Sequence, residues 1–429
     1  MNAQSYLQKH SFFDELVVGL PDKETCLCII IPAYNEPKLF VTLESVFAMK
    51  SLPGVTEVLV VLNHSVSSSE EIKNFHANQY QELLKIQETT KTSRIRLIAM
   101  QVIELPEKWA GVGMARKIGM DEAIRRFSKI GKEGILCNID ADCFVNSDYL
   151  IEVGLHFEMN PSVEALSFGF VHHTIDCDFL EKQAITFYEL HLRLYLNWQK
   201  YFKYPFAYHT LGSCFGVRTD AYRQQGGMNR RKAGEDFYFL HKFSVIDKLA
   251  AVDKVLVFPS GRISDRVPFG TGKSVAQIIE NAYNAESFES YHPEAIGIFC
   301  NGLQLLSLSY FKLKSQADAW KQSNLDPSLI DFLVTRNFQE HLDEIVKNCN
   351  NVKSFEKRLS RYFDPFLLMK FLHFTEANIK SRIAVMDSFK RFMKCYQPEN
   401  IDVESCSVQQ ALDCMRAKDY GSFKPGVER

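Results

Sequence analysis

Short apolar runs alternating with helical patterns organise the first 270 or so residues. Leu27–Ile31 is wholly apolar and stops at Pro32; Val58–Leu62, Ile95–Val102 and Ile135–Ile139 are further strand-like runs. Between them, Leu39, Leu43, Val46 and Phe47 recur on one helical face. Asn35 is placed to cap that helix, with Pro37 in its first turn. Residues 66–90 read as a polar helix, and Met120, Ala123, Ile124 and Phe127 share one face of a helix over Val112–Phe127. Continuous apolar strands alternating with helices predict an α/β domain, a mostly parallel Rossmann-like sheet flanked by helices on both sides. Ligands of such sheets bind beyond the carboxyl ends of the strands. Pro32–Glu36, Asn63 and Asp140–Asp142 fall at such ends. From about residue 275 helices dominate: Ser274–Glu286, Ser328–Asn348, Phe355–Phe374 and Ile379–Cys395. The expected organisation is an N-terminal extension over 1–24, an α/β domain over 25–272 and a helical C-terminal region over 273–429.

Composition narrows the function classes. The chain has 429 residues, 46% of them hydrophobic, with 50 basic against 52 acidic side chains. That supports a full core and gives no sign of a nucleic-acid partner. Eleven cysteines without a CxxC pair read as reduced thiols of a cytosolic protein. The N-terminus lacks a basic start followed by an apolar core, so no signal peptide is expected. No run approaches the roughly 18 apolar residues of a membrane span. The expectation is a cytoplasmic protein, at most peripheral at the inner face of the membrane. The C-terminal phenylalanines, such as Phe371 with Phe374 and Phe389 with Phe392, read as core packing, with membrane docking as the alternative.

The chemistry concentrates at a few positions. In extended backbone, Asp140 and Asp142 point to the same face, where two carboxylates repel unless a cation or proton intervenes. Mn2+ or Mg2+ bound together with a diphosphate would satisfy them; a solvated loop or a local cap is the bland alternative. Arg116 and Lys117 lie early in their helix, where the dipole disfavours positive charge; a bound phosphate would remove the conflict, and solvated side chains are the other reading. Gly111-x-Gly113 lacks the third glycine and the leading strand of a dinucleotide fingerprint. Val267–Ser274 fails as a phosphate loop at its first glycine, leaving a glycine-rich loop with Arg262 and Arg266 as anion candidates, or plain surface. Glu235 and Asp236 open a helix. They are either ordinary capping acids or a general base, Asp236, with Glu235 orienting or binding an acceptor. Arg230, Arg231 and Lys232 either meet an anionic acceptor or are wet.

Five segments in order, CIIIPAYNEP, EVLVVLNHS, GVGMARKIGMDEAI, ILCNIDADCFVNSDYL and GSCFGVRTDAYRQQGGMN…AGEDFYF, resemble the family 2 glycosyltransferases of GT-A fold over roughly Cys26–Phe243. The resemblance implies a domain over 25–272 that uses a nucleotide-diphosphate sugar. It assigns Pro32, Tyr34 and Glu36 to base and ribose, and Asn63 to the place of an aspartate that usually contacts the base. Arg116 and Lys117 would lie near the donor. Asp140 would serve the ribose or metal, Asp142 would be the principal ligand of Mn2+ or Mg2+, and Asp236 the catalytic base. The Gln-x-x-Arg-Trp signature of processive synthases is absent, so one sugar passed to a small-molecule, glycan or lipid-linked acceptor, with inversion, is the expected reaction. A sugar-phosphate nucleotidyltransferase and a non-catalytic nucleotide-sugar-binding protein are the competing readings. Pro32–Glu36, standing where a nucleotidyltransferase has its basic glycine-rich loop, disfavours the first, and the intact acid set the second.

Overall fold

The computed structural model describes residues 1–230, 234–264, 270–281, 288–378, 382–396 and 403–421. Arg231, Lys232 and Arg266 lie outside them. The chain forms two compact units: one of 1–182, 209–276 and 419 onward, the other of 183–208 and 277–418.

The first unit is built on an eight-stranded sheet. Its strands are β1 (Thr25–Ala33), β2 (Val55–Ser65), β3 (Ile95–Leu105), β4 (Ile135–Asn138), β5 (Phe144–Val145), β6 (Ala165–Phe170), β7 (Phe215–Arg218) and β8 (Leu249–Phe258), in the order β3-β2-β1-β4-β7-β6-β8-β5. The β1–β2, β2–β3, β1–β4 and β6–β8 pairs are parallel; β7 runs against both β4 and β6, and β5 against β8. Every residue of β2 is buried, as a sheet covered on both faces requires. The helices of this unit are α1 (Ala3–His10), α2 (Leu39–Phe47), α3 (Glu70–Thr90), α4 (Val112–Lys129), α5 (Tyr149–Met159), the start of α6 (Phe179–Tyr201), α7 (Thr219–Gln224), α8 (Glu235–Ser244) and the start of α9 (Thr271–Asn281). Helix α4 lies so close on the sheet that a Cβ at Gly119 would stand 2.6 Å from Ile30 and 3.0 Å from Val61.

Strand direction decides where the functional groups meet. β1, β2, β4, β6 and β8 all point the same way, so the segments that follow them emerge at one rim. Antiparallel β7 begins at that rim, and the polar segments flagged in the sequence lie at the carboxyl ends of β1 and β2 and just beyond β4.

Helix α2 starts at Leu39 rather than beside Asn35: Asn35 takes a left-handed conformation (φ 46°), which turns the chain before the helix can begin. Among the described residues the second unit is helical apart from a two-residue pairing of β9 (Glu289–Ser290) with β10 (Ile383–Ala384). Its helices after α9 are α10 (Pro293–Leu308), α11 (Tyr310–Ser315), α12 (Pro327–Thr335), α13 (Phe338–Lys347), α14 (Val352–Tyr362), α15 (Pro365–Asn378), α16 (Val385–Tyr396) and α17 (Val408–Tyr420). The single helix expected over Ser328–Asn348 is two, broken where Asn337 is left-handed (φ 53°). That expected over Phe355–Phe374 breaks before Pro365, which cannot donate to the preceding turn. Phe371, Phe389 and Phe392 are buried.

Candidate active site

Two arginines organise the rim. Arg116, in the second turn of α4, is buried, and its Nη1 and Nη2 donate to Glu235 and Asp140 respectively. Arg262, four residues beyond β8, donates from Nη2 to Glu36 and, at 3.1 Å, to Oδ2 of Asp142. Each guanidinium therefore bridges two acids along the rim. The groups run from Glu36 through Arg262, Asp142, Asp140 and Arg116 to Glu235, with Asp236 next in sequence.

The aspartates do not lie in extended backbone. β4 ends at Asn138, and the amide of Cys143 donates to the Asp140 carbonyl at 3.1 Å, closing a turn around Ala141. A turn separates side chains that a strand would align, so each aspartate faces its own arginine. His173, beyond β6, fixes the far side: its Nε2 lies 3.1 Å from the Asp142 carbonyl.

Glu235 and Asp236 open α8 after left-handed Gly234 (φ 71°). Glu235 is fully buried against Arg116, which makes it the guanidinium's partner. Asp236 is half-buried and accepts from the Phe237 amide at 2.7 Å. Burial first, and the negative charge of Glu235 second, push its carboxyl up to about 7; Arg116 opposes them. Such a group can accept a proton near neutral pH.

Beyond β1, Glu36 is fully buried, its Oε1 accepting from the Lys38 amide at 2.9 Å and its carbonyl from Gln79 Nε2 at 2.8 Å. Pro32 is buried at the end of β1, and Asn63 near the end of β2. Tyr34 sets its ring edge-on to His76, centroids 5.8 Å apart. The Asn35 amide donates to His76 Nε2 at 2.9 Å, so His76 carries its proton on Nδ1 and donates it to His64 Nδ1 at 3.2 Å. Both rings are neutral in that arrangement, and burial, then His64, holds His76 down at about 4.

Lys117 is not at this rim. It is buried, 2.9 Å from Asp121 one turn on, with its ammonium over the Tyr6 ring. Asp121 also accepts from the Tyr6 and Tyr222 hydroxyls, at 2.8 and 2.9 Å. Adjacent helix positions point about 100° apart, so Arg116 and Lys117 cannot share a target. Sequence reasoning also missed Gly212, His76, Gln79 and His173. Gly212 alone carries a clear requirement: a Cβ there would stand 2.4 to 2.5 Å from the Arg116 guanidinium.

Among the described residues no three His, Cys, Asp or Glu side chains converge into a ready-made cage for a metal. The donor set still fits Mn2+ or Mg2+, which often take one or two carboxylates and complete their shell from a phosphorylated ligand. Five carboxyl groups, Glu36, Asp140, Asp142, Glu235 and Asp236, share this rim with the guanidiniums of Arg116 and Arg262.

Residues 28–225 match the family described as Glycosyl transferase family 2. They form a family 2 glycosyltransferase domain. Its sheet is the mostly parallel α/β architecture expected of the GT-A class, and the chain is a glycosyltransferase. Among solved structures, TarS residues 1–349 from S. aureus with UDP-GlcNAc is 15% identical. It aligns over 79% of this chain and 91% of that one with a TM-score of 0.38. The mannosyltransferase PcManGT from Pyrobaculum calidifontis, with GDP-Man and Mn2+, is 14% identical, over 97% and 91%, with a TM-score of 0.33. Comparison with curated proteins gives no match. No described helix is long and apolar enough to cross a membrane.

Proposed function

We propose that the family 2 domain moves one sugar from a nucleotide-diphosphate sugar to a hydroxyl of a small-molecule, glycan or lipid-linked acceptor, inverting the anomeric configuration. The acceptor oxygen forms a bond to the anomeric carbon as the bond to the diphosphate oxygen breaks. The bonding pair leaves with the diphosphate, and the acceptor proton passes to a carboxylate oxygen of Asp236. Asp140 and Asp142 would hold Mn2+ or Mg2+, which shields the charge growing on the leaving group. Arg116 places positive charge at the same rim, and Glu235 keeps Arg116 in place. Tyr34, Glu36 and Asn63 surround the base and ribose, and Lys117 is left to the core.

The observation that carries this reading is Asp236, poised near neutral pH at one end of the acid–guanidinium series that contains both DxD carboxylates. The test is to incubate the protein with UDP- and GDP-sugars, with and without Mn2+, and follow release of nucleoside diphosphate. Asp236→Asn should keep donor binding and lose about 10²- to 10⁴-fold in turnover. Asp142→Ala should remove the metal requirement of nucleotide binding together with transfer. Unchanged turnover in Asp236→Asn would refute the assignment of the base.

A further inference from the structure

Arg262 has a donor to spare. Its Nη2 serves both Glu36 and Asp142, yet its Nε is buried and has no hydrogen-bond partner among the described residues. The Nε of Arg116, on the other side of the two aspartates, is in the same condition. A buried guanidinium N–H left unpaired is destabilising, and two of them flanking one pair of carboxylates point to an anion that completes both. The backbone around Arg262 is pinned. The Gly261 amide donates to the His173 carbonyl at 3.0 Å, the His173 amide to that of Pro259 at 2.9 Å, and the Ile263 amide to Glu181 Oε1 at 2.8 Å. A change of partner there falls to the side chain, which is a fifth exposed and so can reach a ligand.

We propose that Arg262 is an exchangeable counter-ion. Without donor it bridges Asp142 and Glu36; when the nucleotide diphosphate arrives with its cation, Arg262 yields Asp142 to the cation and turns its free N–H onto the diphosphate. The proposal rests on the donor reading of the site and adds a coupling between cation and nucleotide. In the free protein Arg262 competes with the cation for Asp142, and in the complex it supports the nucleotide. Removing it therefore acts in opposite directions on the two ligands, which a merely structural bridge would not do.

The experiment compares wild type with Arg262→Gln in the full chain. Mn2+ binding without nucleotide is read from the free-ion paramagnetic resonance signal. Binding of UDP and GDP with Mn2+, and of uridine and guanosine, is read by calorimetry. In Arg262→Gln, Mn2+ alone should bind several-fold more tightly. The diphosphate that wild type prefers should bind about ten- to a hundredfold more weakly, as for a lost charge-assisted hydrogen bond, a loss well beyond any change for the nucleoside, which meets Arg262 only through Glu36. Arg262→Lys, which keeps the charge without the fork, should fall between. Wild type binding neither UDP nor GDP would overturn the donor reading itself. Wild type binding one of them while Arg262→Gln binds it equally well, or a variant that loses thermal stability with both affinities unchanged, would overturn the role of Arg262 alone.

Discussion

Replacing Asp236 by asparagine should stabilise the protein as it lowers turnover about 10²- to 10⁴-fold, and the stabilisation should depend on pH. The carboxyl titrates at about 7 in the folded protein against an ordinary value of 3.8, so between those values the folded state holds a proton that the unfolded state has released. Stability contributed by this group is therefore intact below 3.8, declines as pH rises and is at its lowest above about 7. Roughly three pH units at about 1.36 kcal/mol each put the ceiling near 4 kcal/mol. Water reaching the half-buried carboxylate would reduce it to about 2 kcal/mol. Asparagine keeps the oxygen that accepts from the Phe237 amide, so the start of α8 should hold. The assay is urea denaturation of wild type and variant, without donor, at pH 4 and pH 8. The two should be nearly equal at pH 4, and the variant more stable by about 2–4 kcal/mol at pH 8. A difference that does not change with pH, or a variant less stable at pH 8, would refute the view that burial and Glu235 hold this carboxyl near neutrality.

Other substitutions test neighbouring links. Glu235→Gln can still accept from Arg116 but removes the charge that raises Asp236, so the acid limb of kcat/KM should move to lower pH; an unmoved limb argues against the pairing. Gly212→Ala puts a Cβ 2.4 Å from the Arg116 guanidinium and should cost about 1–3 kcal/mol in thermal or urea stability, with loss of turnover from the displaced arginine. Lys117→Met strands Asp121 without its cation and should cost about 3–5 kcal/mol while leaving nucleoside diphosphate affinity unchanged; a large loss of affinity on titration would return Lys117 to the donor site.

What the sequence made legible follows from local signals. β1, β2 and β4 read correctly because a strand buried on both faces is a continuous apolar run, and α4 because Met120, Ala123, Ile124 and Phe127 recur on one face and are all buried. The helix breaks at Asn337 and Pro365 were smoothed over, since apolar spacing alone carries no record of a single left-handed residue or of one missing donor. Asp140 and Asp142 were correctly placed beyond β4 but given the wrong backbone, because an i, i+2 pair looks the same in a strand and in a turn until the Cys143 hydrogen bond is seen. Lys117 was paired with Arg116 by adjacency, whereas its partners Tyr6 and Asp121 lie on α1 and one turn along α4.

The partnerships that define the site were the least legible, because each spans a long stretch of chain: 119 residues separate Arg116 from Glu235, and 226 separate Glu36 from Arg262. No local pattern encodes such a pair; topology does, by sending the ends of six parallel strands to one rim and starting β7 and α8 there. The result is an arrangement that folding alone would not favour. Buried carboxylates and guanidiniums repay their desolvation only when geometry and partners are complete. Here five carboxyl groups meet two arginines, both arginines keep an Nε–H without a partner among the described residues, and one acid titrates near neutral pH. Each of these deficits has the sign that a cation and a diphosphate would correct, the cation answering the carboxyl groups and the phosphate oxygens the spare guanidinium donors. On the proposed reading the two ligands are therefore each other's condition for binding. Either one alone should bind far more weakly than in the presence of the other.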